Sequence, residues 1–252
     1  LVSLFDTDVQ RSLPRQIDAL QTLCAAFRDL YRELARQYGV VLLPGTFPFR
    51  LDGGEVRNRA WLFGPEGEIG FQDKLMMTRF ENESWFIRGG DRLNALDTPF
   101  GRLGISICYD AEFPLIARRL VEQGADVILV PSCTDTLAGY HRVRIGCQAR
   151  ALENQCYVIQ SPTIGRADWS AAVDVNVGQA GIFTPIDHGF PEDGILALGE
   201  PDTPQWLMAD LQAARIATVR RDGQVLNHRD WARQVAVSHA NGANTFLPGT
   251  PQ

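Results

Sequence analysis

The stretch that decides the architecture is "GRLGISICYDAEFP", residues 101–114. An apolar run of strand character climbs to Cys108, meets Tyr109-Asp110 at once, and gives way to a helix-like stretch, "EFPLIARRLVEQG" (112–124). A strand that passes directly into a helix is half of a βαβ unit. The following residues supply the rest: "ADVILVPS" (125–132) reads as a buried strand, 140–154 as a helix, and "QCYVIQSP" (155–162) as a further strand. Strand–helix–strand–helix–strand predicts an α/β fold with parallel neighbours.

Upstream, Ile17, Leu20, Leu23, Phe27, Leu30, Tyr31 and Leu34 recur at threes and fours from Pro14 to Tyr38, which predicts one long amphipathic helix closed by Gly39. Cys24 lies within that pattern and is read as packing. "VVLLPG" (40–45) has the continuous apolar character of a buried strand. "VRNRAWLF", the turn "GPEG" and "EIGFQDK" predict a hairpin over 56–74. Residues 75–96 carry little periodicity and read as a long loop, and a long ordered loop in a compact domain is more often functional than idle. After Gly165 short apolar runs separated by Gly and Pro ("QAGIFTP", "GILALG", "QWLMADL") predict a more antiparallel C-terminal part. One domain accounts for residues 1–252, with a polar tail from about residue 240 that is loose or packs as an arm on a partner subunit.

The totals bound the function. With 252 residues, 45% hydrophobic and 21% charged, there is ample material for a core. A net charge of -6 and no dense basic run argue against nucleic acid or an anionic membrane surface as partner. Five cysteines at 24, 108, 133, 147 and 156, an odd number without CxxC spacing, read as free thiols in a reducing cytoplasm. His141, His188, His228 and His239 show no ligand spacing with the cysteines, so zinc is not expected.

Cys108 is the candidate nucleophile. A buried cysteine more often serves as a small hydrophobe, but a thiol at a strand tip before a helix near Glu112 has free N–H groups within reach to favour the thiolate. The Tyr109 N–H is placed to donate to an oxyanion beside the sulfur. A Cys–His pair would need His141 or His188, and neither sits in a recognisable setting. Lys74, between "GFQD" and "LMMT", is an ammonium flanked by apolar residues, either solvated or a fixed charge for a thiolate or oxyanion. Cys133 and Thr134 follow a sheet strand at its carboxyl end, where pockets form in α/β folds. With Trp85 of the long loop, which caps the pocket or anchors the loop, they are the candidate substrate-binding residues. Cys147 and Cys156 read as core.

"NRAWLFGPEGEIGFQDK", "ES" at 83–84 with "RGGD" at 88–91, "GRLGISICYDAEFP", "ADVILVPS" and "QARALENQCYVIQ" stand in the order and spacing of the nitrilase, or carbon–nitrogen hydrolase, superfamily, which the chain resembles over most of its length. The resemblance implies an αββα sandwich with a Glu–Lys–Cys catalytic set. Matched residue by residue, it makes Lys74 the lysine, Cys108 the nucleophile, Glu83 a supporting glutamate that fixes the lysine, and the Tyr109 N–H the oxyanion donor. It implies hydrolysis of a small linear amide through a Cys108 thioester, with nitrile or N-carbamoyl substrates within the same chemistry. A non-catalytic binding or scaffold protein of this fold is the alternative from another class. It also implies a homodimer through helices 112–123 and 140–154, and no cofactor. Two positions depart from the pattern. Leu115 replaces the carboxylate many members carry after Phe-Pro, which removes an ion pair to Arg150. The family's Pro-Glu segment precedes its first long helix, and no Glu precedes residue 14 here. Glu33 and Glu55 read as solvated, so the expected N-terminal strand and the general-base glutamate would lie upstream of Leu1.

Overall fold

Residues 60–63 show how the layers arise. Ala60 and Leu62 belong to one buried apolar cluster with Ile105, Ile128, Val130, Val158 and Phe183. Trp61 and Phe63, pointing the other way along the same strand, belong to a second cluster with Leu20, Ala35 and Phe47. Side chains alternate across a strand, so a strand buried on both faces has a sheet on one side and helices on the other. Leu62 and Phe63 are completely buried, and each such side chain contributes about 1.5–3 kcal/mol through removal from water.

The computed structural model describes residues 1–170 and 172–240. A 3₁₀ turn (Val2–Leu4), α1 (Thr7–Gln10), α2 (Leu13–Gln21) and α3 (Cys24–Tyr38) precede β1 (Phe47–Arg50), β2 (Val56–Gly64) and β3 (Gly67–Asp73). There follow α4 (Arg79–Glu83), β4 (Leu96–Thr98), β5 (Gly101–Ile105), a 3₁₀ turn (Cys108–Glu112), α5 (Pro114–Glu122), β6 (Val127–Ser132), α6 (Leu137–Asn154) and β7 (Tyr157–Pro162). The remainder holds β8 (Gly165–Arg166), β9 (Val175–Asn176), β10 (Gly181–Phe183), β11 (Ile195–Leu198), α7 (Ala213–Asp222) and α8 (Asn227–Ala240).

Two principal sheets result: an antiparallel β1-β2-β3, and a six-stranded sheet in the order β11-β10-β7-β6-β5-β4. Strands β5, β6 and β7 run parallel, with Gly104 opposite Ile128 and Ile128 opposite Val158, whereas β4, β10 and β11 are antiparallel additions. The predicted βαβαβ core and the more antiparallel C-terminal part are both present. With α3 packed on β2 and α5 and α6 adding Ala117, Leu120, Val143, Cys147 and Ala151 to the buried cluster that includes the six-stranded sheet, the architecture is the expected αββα sandwich in one domain. Among the described residues no helix is long and apolar enough to cross a membrane.

Three expectations are corrected. The single helix over 14–38 is broken at Thr22–Leu23: Thr22 gives its hydroxyl to the Ala19 carbonyl at 2.7 Å, and the Thr22 and Leu23 amides bond three residues back. A hydroxyl that competes for a helix carbonyl bends or ends the ladder. "VVLLPG" pairs only through an isolated Leu42–Phe63 bridge. "QWLMADL" forms no strand either, and its Trp206 and Met208 are 90% and 82% exposed. Apolar composition makes a segment able to be a strand, but a ladder partner makes it one. The expected tail, residues 241–252, lies outside the described residues.

Helix α6 approaches the Cys108–Glu112 turn so closely that a Cβ on Gly146 would stand 2.8 Å from the Ala111 carbonyl oxygen and 3.2 Å from its carbon. Because the neighbour is backbone, it has no rotamer to change. Gly146→Ala is therefore expected to destabilise the fold by about 1–3 kcal/mol, the usual cost of overpacking, measured by urea unfolding. A variant as stable as the parent would show that the turn yields freely.

Candidate active site

Strand β5 ends at Ile105 and the chain turns at once. Cys108 opens the 3₁₀ turn with φ at +52°, in the left-handed region. For a residue with a Cβ this costs of order 1–3 kcal/mol and persists only where the surroundings impose it. The turn leaves the thiol at the end of β6, where it donates to the Cys133 carbonyl at 3.5 Å. Burial pushes the Cys108 thiol up, while the Lys74 ammonium and the backbone amides of Cys133 and Tyr109 oppose that shift. One expectation changes: α5 starts only at Pro114, so a 3₁₀ turn, and not the first N–H groups of a helix, follows the sulfur.

Lys74 leaves β3 by one residue and is only 3% exposed. Its amide bonds to the Asn58 carbonyl of β2 at 2.9 Å and its carbonyl receives the Gly90 amide at 2.8 Å, so the strand and the loop hold its backbone from opposite sides. A buried ammonium needs a counter-charge, and Nζ reaches both Glu81 oxygens at 2.7 and 2.5 Å. Glu81 is held in its own right. It is the third residue of α4, whose N-cap Thr78 donates from its backbone and hydroxyl to Oε2, both at 2.8 Å, and receives the Glu81 amide at 3.3 Å. This reciprocal arrangement is a capping box.

Glu83 is therefore corrected as the partner of the lysine. Its side chain is 59% exposed and pairs with Arg79 at 2.8 Å on the solvent side of α4. Two residues along a helix turn through about 200°, so Glu81 and Glu83 cannot face the same group. The signal for Glu81 was "TRFE" at 78–81, a T-x-x-E capping pattern inside the stretch read as a loop.

The other candidates divide. Cys133 meets the site through its carbonyl, while its own thiol donates to the Asn176 side-chain oxygen at 2.9 Å. Thr134 gives its hydroxyl to the Val177 carbonyl at 2.9 Å and receives the Val177 amide at 2.8 Å, so it fastens the 175–177 segment to the end of β6. The structure does not set Trp85 with the thiol. Trp85 packs against the Ile17, Val56 and Ile87 cluster and lines a separate cavity of about 620 Å³, with Arg50 and Arg88, whose walls include none of Cys108, Lys74 and Glu81. Its placement is that of a loop anchor.

Glu33 and Glu55 are surface carboxylates paired with Arg36 and Arg57. Leu115 is 66% exposed and Arg150 pairs instead with Glu153 at 2.6 Å, donating also to the Ala111 carbonyl at 3.2 Å. Cys147 and Cys156 are fully buried and Cys24 is partly buried, all as free thiols. Among the described residues no three His, Cys, Asp or Glu side chains converge as a metal site. Sequence reading gave no role to Asp110, which is 1% exposed and accepts backbone N–H groups from both sides of the site.

Removing one partner of a buried ion pair strands the other. Glu81→Gln should cost about 3–5 kcal/mol in urea unfolding, whereas Glu83→Gln should stay within about 0.5 kcal/mol of the parent. Equal effects would contradict the pairing described here.

The carbon-nitrogen hydrolase family profile matches residues 11–221. The chain is 34% identical over 226 residues to a probable hydrolase, YhcX, of Bacillus subtilis, covering 90% of this chain and 44% of that protein. It is 29% identical over 213 residues to a deaminated glutathione amidase of Yersinia enterocolitica, covering 78% of this chain and 69% of the relative. Among solved structures, the Caenorhabditis elegans NitFhit protein superposes with a TM-score of 0.71 at 24% identity, over 90% of this chain and 53% of that one, a likeness of fold. The chain thus spans about half the length of the Bacillus and Caenorhabditis proteins. With the profile covering most of the chain and the αββα layers in place, the protein belongs to the carbon–nitrogen hydrolase family.

Proposed function

We propose that this protein is a thiol hydrolase that cleaves the C–N bond of a small linear amide, with Cys108 as nucleophile. The observation that carries the reading is the buried Lys74 ammonium, locked by Glu81 and acting on a thiol that the backbone holds at φ +52°. Strained backbone at a thiol beside a fixed cation is costly to maintain for packing alone. Proteins similar to this chain bear the names deaminated glutathione amidase and omega-amidase, which supports an amide as substrate class.

In the proposed reaction the Cys108 sulfur, as thiolate, attacks the amide carbon and the carbonyl π electrons move to oxygen. Lys74 and the Tyr109 N–H stabilise that oxyanion, a service worth about 2.7–4 kcal/mol per donor where measured. Collapse breaks the C–N bond, the proton that Cys108 gave up on becoming a thiolate passes to the nitrogen, and ammonia or an amine leaves, giving a thioester on Cys108. Water then adds to the thioester carbon, the C–S bond breaks, and a carboxylic acid departs with the thiol restored. Glu81 keeps the ammonium in place through both halves.

Ammonia release from a panel containing acetamide, succinamate and glutaramate tests the reading. Cys108→Ala should abolish it, and mass spectrometry of the quenched parent should show an acyl adduct on Cys108. Lys74→Met keeps the apolar stem and leaves Glu81 its Thr78 donors; its rate should fall by at least ~10²-fold. Turnover by Cys108→Ala equal to the parent's would sink the mechanism.

A further inference from the structure

Asp110 is a buried carboxylate whose hydrogen bonds all go to the two segments that carry the reacting groups. Its Oδ1 accepts the Met76 amide at 2.7 Å and the Leu75 amide at 3.1 Å, and its Oδ2 accepts the Ile107 amide at 3.2 Å and shares that of Leu75 at 3.2 Å. Leu75 and Met76 directly follow Lys74, and Ile107 directly precedes Cys108. The same residue closes the turn under the sulfur: its own amide bonds to the Ile107 carbonyl, and its carbonyl receives the Phe113 amide, both at 3.1 Å. Among the described residues its carboxylate forms no ion pair, so backbone N–H groups make every hydrogen bond to this buried anion, with the Lys74 charge adding at longer range.

We propose that Asp110 is a positioning residue, a clamp that sets the spacing between the Lys74 ammonium and the Cys108 sulfur and holds Cys108 in its left-handed conformation. The inference rests on the thiol-hydrolase reading and adds to it a residue that touches neither substrate nor sulfur. The two segments follow strands of different sheets, β3 and β5, and among the described residues no strand pairing joins those sheets. Asp110 supplies a polar tie between them at the site, where half an ångström decides whether an ammonium and a thiolate face each other productively. Burial pushes its carboxyl up to about 6, with the three amides and Lys74 opposing. All its hydrogen-bond partners are N–H donors, an arrangement that suits the ionised carboxylate with its full set of acceptors.

Asp110→Asn separates positioning from mere folding. The amide has the carboxylate's shape but one acceptor oxygen, so it can serve the Leu75–Met76 side or the Ile107 side, and its NH₂ group opposes the amide on the other. The readout is the pH dependence of Cys108 alkylation by iodoacetamide, followed by peptide mass, beside a thermal unfolding curve. The titratable groups facing the thiol are Lys74, behind it Glu81, and the thiols of Cys133 and Cys147. Loosening Lys74 should move the alkylation midpoint up by about 1 unit in a variant that still unfolds cooperatively. A folded Asp110→Asn with the parent's midpoint and rate overturns the clamp and leaves the amidase reading standing. A parent with a responsive Cys108 midpoint but no amide turnover overturns the amidase reading and leaves the clamp. Should the variant not fold, hydrogen exchange of the parent decides: a single acceptor requires the Leu75, Met76 and Ile107 amides to exchange slowly and together, and exchange at the rates of exposed amides overturns the proposal.

Discussion

Everything at the site depends on a lysine that is out of water. An ammonium with 3% exposure is unfavourable by several kcal/mol unless an anion and further hydrogen bonds meet it. Glu81 meets it with both oxygens and is itself anchored by the N-cap of a five-residue helix. That helix has one buried residue, Glu81 itself. It exists to hold the carboxylate as much as the carboxylate exists to cap it, and its place in the loop follows from the position of Lys74 at the end of β3.

The two sheets determine where that lysine lies relative to the thiol. Ala60 and Leu62 of β2 share a buried cluster with Ile105 and Ile107, which flank the approach to Cys108. The hairpin whose exit carries Lys74 is therefore pressed onto the sheet whose exit carries Cys108. Hydrophobic burial brings the layers together without direction. Directed bonds then fix the approach at the end where the reacting groups lie: the amides of Leu75, Met76 and Ile107 on Asp110, and the thiol of Cys108 on the Cys133 carbonyl. This division of labour explains why the site residues are short-range neighbours of strand ends, where the backbone is free to turn and still anchored by the sheet.

The arrangement also separates the five cysteines by environment. Cys147 and Cys156 are packed away completely and burial pushes their thiols up, as expected of inert core residues. Cys108 is also buried, but it has an ammonium and backbone amides directed at it. Sequence position alone marks Cys108 only through the strand-to-turn junction it occupies.

The sequence by itself determined the alternation of strands and helices and singled out the Cys108 thiol and the Lys74 ammonium as candidates. Periodicity along 101–162 dictates alternating strands and helices, the alternation in 56–74 dictates a hairpin, and both signals are local, carried by which side chains must leave water. Tertiary structure alone decided which carboxylate meets Lys74. Glu81 and Glu83 are chemically alike and two residues apart, and only the placement of α4 beside Asn58 of β2 and Lys74 turns one inward and leaves the other to Arg79. It also decided the role of Asp110, because the N–H groups it collects come from residues 35 positions away as well as from its own turn. The strands expected at 40–45 and 205–211 failed for the same reason. Composition reports what a segment can bury, and pairing depends on what the rest of the chain places beside it.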